Sequence, residues 1–85
     1  MTEFEIRRQI EAIRLSPSSP VTKARELLRL RRLLSIQLTE LEQARMQVAQ
    51  TSDRRTKAML NRMAATAESL EDDVLESARE VLSTG

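Results

Sequence analysis

Residues 50–57 read "QTSDRRTK", and whether the chain turns there decides the fold. The stretch holds no Gly or Pro, so a helix could run straight through it. However, Thr51, Ser52 and Asp53 are three successive residues whose short polar side chains bond nearby backbone. Such residues favour caps and turns over helix interiors. The expectation is a turn at 51–53, between a helix over about 20–50 and another over about 54–82.

The seams on either side support a fold-back. After the turn, Leu60, Met63, Ala67, Leu70, Val74, Ser77 and Val81 step by three and four. Before it, Leu27, Leu30, Leu34, Gln37, Leu41, Ala44 and Val48 do the same. Folding at residue 52 pairs positions whose numbers sum to about 104, so Leu34 meets Leu70, Leu30 meets Val74 and Leu41 meets Met63. Gln37 then meets Ala67 and Ala44 meets Leu60. Two matched heptad seams argue for an antiparallel helical hairpin. One continuous helix in an antiparallel dimer would use the same pairings between chains.

Upstream, Thr2 and Glu5 fit a capping box, and Ile6, Ile10 and Ile13 recur at helical spacing. This predicts a short amphipathic helix over about 3–15, ended by "SPSSP" because a residue before proline resists helical geometry. Residues 16–19 read as a connector. Ser19 and Pro20 then suit an N-cap and a first helical position. The expected fold is all-α: a short N-terminal helix plus a long, coiled-coil-like antiparallel hairpin, three helices in one domain over residues 1–85.

Composition agrees and excludes much. The chain has 85 residues, 32% of them charged, with one Gly, two Pro and a single aromatic, Phe4. That profile belongs to a helical domain with an aliphatic core near the lower size limit. With no Cys and no His, disulfides, thiolate chemistry and the usual zinc sets are excluded. "MTEFEIRRQI" carries acids and lacks an apolar run, and no stretch approaches membrane-spanning length. No membrane association is expected, and the default location is cytoplasmic.

Catalysis would have to rest on carboxylates, Lys, Ser or Thr. The one carboxylate cluster, "ESLEDDVLE", places Glu68, Asp72 and Glu76 on a polar helix face, with no ligand set opposite. No Gly-rich loop cradles phosphate. The chain is therefore read as non-enzymatic, with no catalytic, cofactor or metal site.

"RELLRLRRLL", residues 25–34, sets four arginines among five leucines. On a helical wheel Arg31 falls inside the apolar arc. Glu71, its counterpart across the hairpin, does the same, so the two are expected to form a cross-helix ion pair. Arg25, Arg29 and Arg32 point to solvent. Asp72, Asp73, Glu76 and Glu80 lie on the outer face of the third helix. Residues 21–62 carry ten bases against four acids, and residues 63–85 one base against six acids. A second basic group at the tip, Arg45, Arg54, Arg55, Lys57 and Arg62, has fewer acids nearby and is the better candidate for phosphate contacts.

The apolar arc of the second helix spans about 200°, more than the stripe of about 100° that one neighbour needs. The first helix should cover the base of the hairpin and reach no further than about 20 Å, at 1.5 Å per residue. Leu38, Met46, Met59 and Met63 are then left as a Met-lined surface toward the tip, suited to a partner helix because thioethers repack easily. The expected function is a non-catalytic protein–protein interaction module: an adaptor, an assembly subunit or a small chaperone-like cofactor. Its partner would be a client helix or a second copy, giving a hetero-complex or a homodimer. A nucleic-acid-binding accessory protein using the basic tip is the second reading.

Overall fold

The structure, a computed structural model, describes residues 2–50 and 53–84. Among these residues are three helices, α1 (Glu3–Leu15), α2 (Pro20–Val48) and α3 (Arg54–Thr84). Helices α2 and α3 pack against each other as an antiparallel hairpin, and the short α1 lies against its open end. The molecule is a rod of 51 × 18 × 16 Å.

Local chemistry explains each helix end. At the start of α1 the Thr2 hydroxyl accepts from the Glu5 amide at 3.2 Å, and the Glu5 carboxylate accepts from the Thr2 amide at 3.5 Å. This reciprocal box satisfies two otherwise orphaned donors. Ser16, which precedes Pro17, is extended at ψ 155° and closes α1 by donating its amide and hydroxyl to the Ile13 carbonyl. Ser19 caps α2, its hydroxyl accepting from the Thr22 amide at 3.3 Å, and Pro20 opens the helix where a missing N–H costs nothing. The expected turn at 51–53 is described only at Asp53, since Thr51 and Ser52 lie outside the described residues. Asp53 caps α3 by accepting the Thr56 amide at 3.1 Å and the Thr56 hydroxyl at 2.6 Å.

The core sits at the base, the half of the hairpin nearest α1. Ile6 and Ile10 are buried there with Leu27, Leu30, Leu34, Leu70, Val74 and Ala78. Two ion pairs fix the direction of α1. Arg7 meets Asp73 at 2.8 Å and Arg14 meets Glu80 at 3.1 Å, so α1 runs parallel to α3 without slip. Against α2 it is antiparallel, and the Lys23 ammonium donates to the Arg14 carbonyl at 2.9 Å. Asp73 and Glu80 thus hold α1, rather than standing as purely outward-facing acids.

The stripe that α3 buries changes along its length. At the base Leu70, Val74, Ser77 and Ala78 are all buried, because α1 covers one flank and α2 the other. Toward the tip the buried residues are Leu60, Ala64 and Ala67. Met63, expected in the seam, is 46% exposed while Ala64 is 2% exposed. With only α2 as a neighbour there, α3 turns its small residue inward and leaves the longer thioether at the edge.

The expected Arg31–Glu71 ion pair does not form. Glu71 accepts instead from the hydroxyl of Ser35, one turn nearer the tip, and Arg31 is exposed with neither an ion pair nor a hydrogen bond. The serine meets the half-buried carboxylate without ordering a long side chain. Arg31 can carry its charge to water while its stem covers apolar surface.

Candidate interaction surfaces

Three of the open grooves among the described residues show how far the candidate positions come together. The first continues the track that α1 occupies. Its floor is Leu34, Leu41, Ala67 and Leu70, with Gln37 and Met63 at the sides, and Glu3 and Ile6 of α1 close its base end; its volume is about 260 Å³. Met59 lies one turn from Met63 on the same face of α3 and is 54% exposed. Arg62 and Thr66 stand on the rim.

A second groove, of about 540 Å³, lies at the tip between Arg45, Met46 and Val48 of α2 and Lys57, Leu60 and Asn61 of α3. Met46 is 73% exposed, and no residue of α1 reaches it. On the wheel of α2, Met46 and Leu38 fall on one side of Leu34, and Gln37 falls on the other. The four positions expected to form one partner surface are therefore divided. Met63 flanks the groove on the α1 side with Met59 one turn beyond it, Met46 lines a different groove, and Leu38 is half-buried. A wheel drawn for each helix separately shows the width of an apolar arc, not which side of the hairpin each edge joins.

The basic tip is divided in the same way. Arg45 and Lys57 border the Met46 groove, Arg62 borders the other, and Arg54 and Arg55 are exposed on the first turn of α3. Two arginines at a helix N-terminus oppose the helix dipole. The Asp53 carboxylate just ahead of them offsets this. Its pKa is held below the usual aspartate value, first by the Thr56 hydroxyl and then by the Thr56 amide.

The third groove was not among the sequence-derived site residues. It lies at the base on α2, about 480 Å³ in volume, between Val21, Leu28 and Leu82, with Arg25, Arg29 and Arg32 around it. Val21, Leu28 and Leu82 are 60%, 45% and 54% exposed. The visible signal was in the sequence: apolar and arginine positions alternate at helical spacing as Val21, Arg25, Leu28 and Arg32.

Among the described residues, no cluster of acids is placed to hold a metal ion. No helix among them is long and apolar enough to cross a membrane. No family model, curated protein or solved structure matches this chain.

Proposed function

We propose that the chain is a non-catalytic helical interaction module that takes up another helix along the tip half of its hairpin. The observation that carries this reading is the groove continuing the track of α1. At the base a third helix fills the position over Leu34 and Leu70. Beyond Glu3 that position stays open, with Met63 and the half-buried Leu41 along it and Met59 one turn on. A helix laid end to end with α1 would bury the thioethers and complete a three-helix bundle along the whole rod. Flexible, polarizable side chains suit such a seat because they repack around different guests. The guest is a helix of a client protein or of a second copy, in keeping with an adaptor, an assembly subunit or a small chaperone-like cofactor.

The test is the double variant Met59→Glu/Met63→Glu, followed by sedimentation over a wide concentration range and by purification from native extract. The wild-type chain should sediment above monomer mass, alone or with a bound protein. The variant should sediment as a monomer with its helical circular dichroism retained, since an edge residue loses only partner contacts. A wild-type chain that stays monomeric and unaccompanied under both conditions overturns the proposal. So does loss of helicity in the variant, which would place these methionines in the internal core.

A further inference from the structure

The groove at the base of α2 lies apart from the tip and calls for a guest of different chemistry. Arg25, Arg29 and Arg32 are exposed, and none of them takes part in an ion pair or a hydrogen bond. Three other cations at this end are engaged: Arg7 with Glu3 and Asp73, Arg14 with Glu80, Lys23 with the Arg14 carbonyl. Between Pro20 and Ser35 α2 carries one acid, Glu26, against five bases. The three free arginines line the groove beside Val21, Leu28 and Leu82, each about half exposed or more.

We infer that this groove is a second docking surface, for an amphipathic helix of a partner protein that carries Asp or Glu on successive turns with leucine-like residues between them. The arginines follow one another at four and three residues, so their stems are about one helical turn, or 5.4 Å, apart. Acids at the same spacing on a partner helix meet them in register, and a guanidinium binds a carboxylate through two parallel hydrogen bonds. The apolar residues distinguish this guest from a nucleic acid. A phosphate backbone would neutralise the arginines and leave Val21, Leu28 and Leu82 in water. A bilayer fits less well too, because the surface is a concave groove between α2 and the end of α3, and a flat membrane presents no ridge to fill it.

The probe is a synthetic helical peptide of about 18 residues, a common helix length, with Glu on three successive turns and Leu between them. Binding to the full chain is followed by fluorescence anisotropy. The expected result is saturable binding that weakens as salt rises. It should fall at least tenfold in Arg25→Gln/Arg29→Gln/Arg32→Gln and clearly in Leu28→Ala, and stay unchanged in Met59→Glu/Met63→Glu. A peptide of the same composition with scrambled spacing should bind much more weakly. Absence of peptide binding overturns the inference, as does binding insensitive to the arginines or equal for the scrambled peptide. Vesicles of anionic phospholipid and a DNA duplex are run beside the peptide, and stronger binding to either also overturns it. The arginine variants report on the base groove and Met59→Glu/Met63→Glu on the tip groove, so the two docking surfaces stand or fall separately.

Discussion

Leu27, Leu34, Leu41 and Val48 occupy the same heptad position in successive repeats of α2, yet their burial falls along the helix. Leu27 is 0% exposed and Leu34 is 2% exposed, while Leu41 and Val48 are only half-buried. The change falls where α1 ends. Heptad phase decides which way a side chain points, and the number of neighbouring helices decides how much water it loses. The base has three helices and a closed core; the tip has two and an open flank. Stability should therefore concentrate at the base, and the seat left open by the missing third helix lies at the tip; the predictions test that division.

The largest effect is expected from truncating the base core. Leu27→Ala should cost about 2–5 kcal/mol, as removal of a fully buried leucine leaves a cavity between packed helices. Leu41→Ala, at the equivalent but half-buried position, should cost less than half as much. Urea unfolding monitored by circular dichroism measures both. Equal losses would mean that the tip is covered in solution, most simply by self-association, which repeating the titration at several protein concentrations would reveal.

Next come the caps. Ser19→Ala should cost about 1 kcal/mol by orphaning the Thr22 amide at the start of α2. At the tip, Asp53 adds a pH dependence. Its folded pKa is depressed below its unfolded value, so its contribution is complete above the unfolded pKa near 3.8 and is lost as pH falls through the lower folded value. Asp53→Asn keeps a capping side chain but should flatten this acid-limb slope. An unchanged slope would show that the Asp53 cap does not contribute to the acid limb.

Side-chain pairing across the hairpin gives a smaller effect. A double-mutant cycle on Ser35 and Glu71 should show a coupling of about 1 kcal/mol, the usual worth of a hydrogen bond. The cycle on Arg31 and Glu71 should be indistinguishable from zero, because the two do not meet. The reverse outcome would restore the ion pair inferred from the helical wheel.

These cases show which features were legible in the sequence. Thr2 with Glu5, and Ser19 with Pro20, announced their helix ends because capping is settled within a few residues. The hairpin register could be read because Leu34 and Leu70, or Leu30 and Val74, are apolar on both helices. Met63 and Ala64 are adjacent and both apolar, so pattern alone could not say which one turns inward where only one neighbour remains. Glu71 had two polar candidates one turn apart, and the choice of Ser35 over Arg31 rests on side-chain reach and solvation. The parallel register of α1 on α3 carried no periodic signal. The assignment of Asp73 to Arg7 and Glu80 to Arg14 therefore came only with the fold. The candidate surface was half legible: its methionines could be named, but not their division between two grooves.

The smallest effect concerns how α1 is held. Ile6 and Ile10 bury their side chains whatever the ionic strength, whereas Arg7–Asp73 and Arg14–Glu80 bridge partly exposed groups that salt screens. The pair Asp73→Asn/Glu80→Gln should thus leave the global unfolding midpoint almost unchanged. It should speed amide hydrogen exchange within α1 at low salt, by opening that helix locally without unfolding the hairpin. Raising salt toward 1 M should bring the wild-type rates in α1 toward those of the variant, because the screening length there is only about 3 Å. Unaltered exchange at low salt would mean that the isoleucines alone fix α1, and the parallel register would owe nothing to charge. Faster exchange spreading into α2 and α3 would mean that base and tip unfold as one unit, and the division between them would then be one of burial and not of local stability.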